Sequence, residues 1–82
     1  MGYYFINSAH EGMIEKILVE KDSYVHEWEP IFIIQTPWKT KEEVKWGVSG
    51  NMKHIYVSPG DKVSINTPLA IVSESRSPAG SD

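Results

Sequence analysis

The sequence predicts a single all-β domain, a sandwich or flattened barrel assembled from two similar halves. Apolar residues alternate along several windows instead of recurring at helical spacing, and no window of ten or more residues carries a helical stripe. Clusters of Pro, Gly, Asn, Asp and Ser separate these runs at short intervals, the punctuation of turns between strands. Sliding the chain against itself by 38 positions sets Gly12 on Gly50, Ile17 on Ile55, Val19 on Val57, Val25 on Val63, Pro30 on Pro68 and Ile33 on Ile71. Conservative matches fill the intervals: Ile6 with Val44, Ile14 with Met52, Ile31 with Leu69 and Ile34 with Val72. The half-repeats run over about 6–36 and 44–74. Each half supplies strands that cannot bury an apolar face alone, so two copies related by a pseudo-twofold axis bury them against each other.

In chain order, Met13 to Val19 alternates and reads as a strand, closed by the turn signal "EKDS" at Glu20 to Ser23. Ile31 to Ile34 is an apolar run of four, short enough for a buried strand and far too short to span a membrane. It leads into the polar corner "TPWKTK" from Thr36 to Lys41, inside a connection of about 36–43 that joins the two halves. Val44 to Val48, with Trp46, alternates again. Met52, His54, Ile55 and Val57 read as a strand with a bulge. "SPGD" at Ser58 to Asp61 and "INTP" at Ile65 to Pro68 mark the last turns. The domain is expected to occupy 1–74, and residues 75–82, "SRSPAGSD", to form a flexible tail.

Composition narrows the function classes. The chain of 82 residues is 40% hydrophobic and 23% charged, with a formal net charge of -3 and no cluster of Lys and Arg, which argues against a nucleic-acid or anionic-membrane surface. No cysteine is present, so disulfides and thiolate metal sites are excluded. His10, His26 and His54 are scattered without a metal-ligand spacing. Glu42 and Glu43 are adjacent on a strand and point to opposite faces, so they are not an acid/base dyad. No phosphate loop, nucleophile motif or secretory signal is visible, and the expectation is a cytoplasmic, non-catalytic domain whose partner is a protein or a small group.

The segment "GVSGNMKHIYVSPGDKVSINTPLAIVSE", Gly47 to Glu74, resembles the second half of a biotinyl/lipoyl attachment domain. Gly50 is followed by an alternating strand, then by the "V-x-x-GD-x-V" turn of Val57, Gly60, Asp61 and Val63, then by Pro68 and Leu69. "EGMIEKILVEKDSYVHEWEPIFIIQ", Glu11 to Gln35, is similar to the same unit with weaker punctuation. The resemblance implies two antiparallel four-stranded sheets and a non-catalytic carrier whose cofactor lysine projects from the hairpin linking the halves. That hairpin holds Lys39, which the resemblance makes the acceptor of biotin or lipoyl. A biotin or lipoyl ligase would acylate it, and the subunits of a carboxylase or dehydrogenase-type complex would receive the swinging arm.

Biotin-accepting members carry Lys between two methionines and lipoyl-accepting members carry Asp-Lys-Ala, whereas here Lys39 lies between Trp38 and Thr40 after Thr36-Pro37. The hairpin is one residue longer than the family spacing, and Pro37 beside Trp38 suits a longer loop than a two-residue turn. Lys39, and beside it Lys41, reads otherwise as a solvated residue on an edge hairpin. An alternative function keeps the fold unmodified and binds a partner protein through Trp38, Trp28, Thr40 and Lys41, with Tyr24 nearby; equally, the aromatic rings fold back as lids on a small core. Asp22 and Asn66 tolerate left-handed backbone, but a Trp at the position of Trp28 would be strained, so that loop is expected to have its own geometry and Trp28 to face solvent.

Overall fold

Eight strands form, and their order follows the turn punctuation. A computed structural model of the chain describes residues 2–75. They are β1 (Tyr3–Asn7), β2 (Gly12–Ile17), β3 (Tyr24–Val25), β4 (Pro30–Gln35), β5 (Lys41–Lys45), β6 (Gly50–Ile55), β7 (Lys62–Val63) and β8 (Pro68–Glu74), with no helix among the described residues. Two antiparallel four-stranded sheets result, ordered β1-β8-β6-β3 and β5-β4-β2-β7. Advancing each first-half strand by four positions converts one order into the other, which is the pseudo-twofold axis that the repeat requires. The expected tail lies, from residue 76 onward, outside the described residues.

The halves interlock. β3 of the first half pairs with β6 of the second, and β7 of the second pairs with β2 of the first. The Asp22 N–H donates to the Met52 carbonyl (2.6 Å), and its equivalent, the Gly60 N–H, donates to the Ile14 carbonyl (2.8 Å). Neither half closes its own sheet, so the domain folds as one unit. The core consists of repeat pairs: Ile6 with Val44, Ile14 with Met52, Val25 with Val63, Ile31 with Leu69, Phe32 with Ala70, and Ile34 with Val72, all buried. Ile31 and Phe32 are both fully buried although adjacent, because the register with β5 slips between Pro30 and Phe32. The same slip on the other half lets Leu69 and Ala70 both face inward. The expected bulge also forms, between Met52 and His54, mirrored between Ile14 and Lys16.

Two glycines are dictated by close approach. A Cβ on Gly12 would sit 2.3 Å from the Gln35 carbonyl oxygen, and one on Gly50 would sit 2.2 Å from that of Ser73. These are equivalent positions, since each glycine opens the first central strand of its half against the last.

Four turns share one design. Asp22, Trp28, Gly60 and Asn66 all have positive φ, at 70°, 63°, 96° and 74°. Each is the third residue of a turn whose fourth N–H returns to the first carbonyl, over Glu20–Ser23, His26–Glu29, Ser58–Asp61 and Ser64–Thr67. In each, the side-chain oxygen of the fourth residue accepts from the first N–H, through Ser23, Glu29, Asp61 and Thr67. The last turn is therefore Ser64–Thr67 and not Ile65 to Pro68. The loop at Trp28 also corrects the expectation of a private geometry: it is the same left-handed turn as its equivalent at Asn66. Its conformational cost, roughly 1 kcal/mol for an L-residue, is offset by tertiary contacts. The Trp28 N–H donates to the Trp46 carbonyl (2.8 Å), as Asn66 does to Ser8 (2.7 Å), and the indole lies over Gly47, where a Cβ would be 2.8 Å from its ring. Trp28 is 62% exposed. Trp46 lies just beyond the end of β5, half-buried against the core, and not within a strand reaching Val48.

β1 and β5 occupy equivalent outer edges of the two sheets. Apart from the buried Ile6 and Val44, their sequences differ completely. β5 reads KEEVK, whereas β1 reads YYFIN, with no charge and with Tyr3 and Phe5 exposed.

Candidate functional site

The hairpin between β4 and β5 is the one connection that joins the two halves, and its local chemistry sets its shape. Gln35 pairs with Lys41, the Thr36 N–H donates to the Thr40 carbonyl (2.9 Å), and the Lys39 N–H donates to the Thr36 carbonyl (2.9 Å). Pro37, Trp38 and Lys39 thus form a three-residue loop, a tight turn followed by one residue in the left-handed region, which is Lys39 at φ 66°. Pro37 suits the second position of such a turn, where its fixed φ is required and no N–H is needed. The extra residue read from the sequence is accommodated here: relative to a two-residue turn, Lys39 is the bulge residue.

Below the loop, two hydroxyls clasp the strands. Thr36 Oγ1 and Thr40 Oγ1 are 2.6 Å apart, Thr36 is buried, and the Thr40 N–H also reaches Thr36 Oγ1 at 3.3 Å. Replacing Thr36 with the isosteric Val is expected to cost about 1 kcal/mol in urea unfolding and to speed amide exchange at Thr40, while exchange in the distant β6–β8 ladder is unchanged.

Charge distinguishes the two corner lysines. Lys41 Nζ is held by Glu15 Oε2 at 3.0 Å, and Lys45 Nζ lies 3.4 Å from Glu43 Oε1. Lys39, exposed at the tip, has no ion pair among the described residues. Trp38 is 78% exposed beside it. Lys39, Trp38, Thr40 and Lys41 are therefore brought together on one hairpin. Trp28 is not among them: it precedes Pro30 and bonds to Trp46, at the opposite end of β4, about 20 Å away for a six-residue strand. Tyr24 packs edge-on against His26 in that other region (4.9 Å). The two ends of the described chain meet there too, where the Glu74 N–H donates to the Gly2 carbonyl. Near them the Tyr4 hydroxyl bonds to Glu74 (3.1 Å), a contact with a negative carboxylate that raises the phenol above its ordinary 10.0.

Beside the hairpin runs an open groove of about 430 Å³, lined by Met13, Pro37, Lys39, Lys62 and Val63 among others. Glu11, Gly12, Gln35 and Thr36 complete it. None of the groove residues outside the corner, nor Thr36, is legible in the sequence as part of a site. The available signal was the repeat glycine Gly12, which brings β2 against Gln35 immediately before the loop. No cluster of three or more potential metal ligands occurs among the described residues.

The site can present the Lys39 amine at the tip of a short hairpin. A family model described as "Biotin-requiring enzyme" matches residues 5–72. No curated protein sequence matches the chain. Among solved structures, the urea carboxylase of Kluyveromyces lactis superposes with a TM-score of 0.81 at 22% identity, over 89% of this chain and 6% of that one. A single-chain, multi-domain long-chain acyl-CoA carboxylase superposes with a TM-score of 0.83 at 12% identity, over 95% of this chain and 8% of the other. At these identities the likeness is one of fold, and this chain spans a small fraction of either enzyme's length.

Proposed function

Because the chain belongs to the biotin/lipoyl attachment family, we propose that it is a carrier whose Lys39 accepts biotin and serves a multidomain carboxylase. The observation that carries this reading is the placement of Lys39: exposed, without an ion pair among the described residues, and in left-handed backbone at the tip of the hairpin that joins the half-repeats. The family description and the two carboxylases of like fold favour biotin over lipoyl. The fold supplies presentation. Lys39 Nζ, once deprotonated, attacks the activated carboxyl carbon held by a ligase; an amide bond forms, the activating group departs, and the nitrogen releases its second proton to solvent. When bound, biotin carries a carboxyl group between active sites, and the clasped hairpin keeps its anchor fixed while the arm moves.

Intact mass after co-expression with a biotin ligase, and separately with a lipoyl ligase, tests the assignment. The expected result is a gain of one biotinyl group, lost in Lys39→Arg and retained in Lys41→Arg. An unmodified mass under conditions that modify a control carrier overturns it. The exposure of Trp38 supports a second reading, an unmodified module that docks its hairpin on a partner protein. That reading gains if the mass is unchanged and Trp38→Ala weakens the partner without unfolding the domain.

A further inference from the structure

We propose that the biotinyl group carried on Lys39 rests in the groove beside the hairpin whenever no partner enzyme holds it, with Met13 as the principal contact. This inference rests on the carrier reading above. Lys39 itself lines the groove, so the tether opens directly onto it. The lining matches the occupant: Met13, Pro37 and Val63 offer an apolar floor to an aliphatic chain and a thioether ring, and Glu11, Gln35 and Lys62 offer polar groups to the ureido edge. Gly12 contributes an open stretch of floor, since packing of β2 on Gln35 forbids a side chain there. The volume of about 430 Å³ lies in the range of small-molecule sites, roughly 300–1,000 Å³.

Tethering makes weak binding sufficient. A short flexible linker holds its end group at an effective concentration on the order of millimolar, so a contact with a millimolar dissociation constant is occupied about half the time. Occupation at that level withdraws the group from solvent without obstructing its transfer.

The test starts from protein shown by intact mass to carry one biotinyl group, which separates this proposal from the carrier reading; an unmodified mass overturns both. Amide chemical shifts are compared between the acylated and unmodified forms. Shifts at Gly12, Met13 and Val63, beyond those of residues 37–40, are expected, and shifts confined to 37–40 overturn the proposal. The rate of capture by streptavidin is the second measure. A half-occupied groove halves the accessible fraction, so acylated Met13→Asp should be captured about twofold faster than the unaltered chain, and Met13→Leu at the unaltered rate. Met13 is partly exposed, and a dispersed amide spectrum verifies folding of each variant. Equal rates for all three forms overturn the proposal.

Discussion

Replacing Phe32 with alanine is expected to lower the unfolding free energy by about 3–5 kcal/mol. Phe32 is fully buried on β4, the strand that leads into the hairpin, and its repeat equivalent is the small Ala70. No second large ring sits at the equivalent position to share the loss. A small domain is commonly stable by only about 5–15 kcal/mol, so the variant should unfold at markedly lower denaturant concentration, read by urea titration with an unchanged slope. A loss below about 1 kcal/mol would mean that the core collapses around the deletion, and that close packing here does not depend on the ring.

Gly50→Ala is expected to be strongly damaging by a different route. The added methyl group would meet the Ser73 carbonyl oxygen at 2.2 Å and its carbon at 3.0 Å. Both are backbone atoms of β8, so no rotamer change relieves the contact, and β6 must move away from the strand it pairs with. A cost of about 1–3 kcal/mol is expected for such overpacking, with amide protection lost first along the β6–β8 ladder. Gly60→Ala is a useful contrast, because open space surrounds that position and only its positive φ opposes the substitution. Protection loss centred on β6–β8 in Gly50→Ala alone would confirm the steric origin; equal behaviour of the two variants would refute it.

The 38-residue repeat made most of the core legible, because Ile14 and Met52, or Ile31 and Leu69, are alike enough to align and both point inward. Phe32 and Ala70 escaped that comparison: they share a place but not a size. Alignment alone also cannot give orientation. Ile33 and Ile71 match perfectly yet are only half-buried, since the register slips on β4 and β8 place the residues before them inside. The hairpin was legible in position and in its added residue, because spacing and proline chemistry are local. Trp28 was not, since propensity opposes a left-handed tryptophan and only the distant Gly47 and Trp46 make it tenable. The groove was illegible for the same reason: Met13, Pro37 and Val63 meet only after strands from both halves have paired.

The unlike edges β1 and β5 bear on how the protein behaves when crowded. If two copies approached antiparallel along β5, Lys41 would face Lys45 and Glu43 would face its own twin, so like charges would oppose each other. Along β1 the same approach would set Phe5 against Phe5 and Tyr4 against Ile6, with no charge within the strand itself to oppose the pairing. Symmetry in the backbone thus makes β1 and β5 one pair of equivalent edges, of which β5 is electrostatically sealed and β1 adhesive. Precipitation or fibril growth from concentrated solution should begin at β1 before β5.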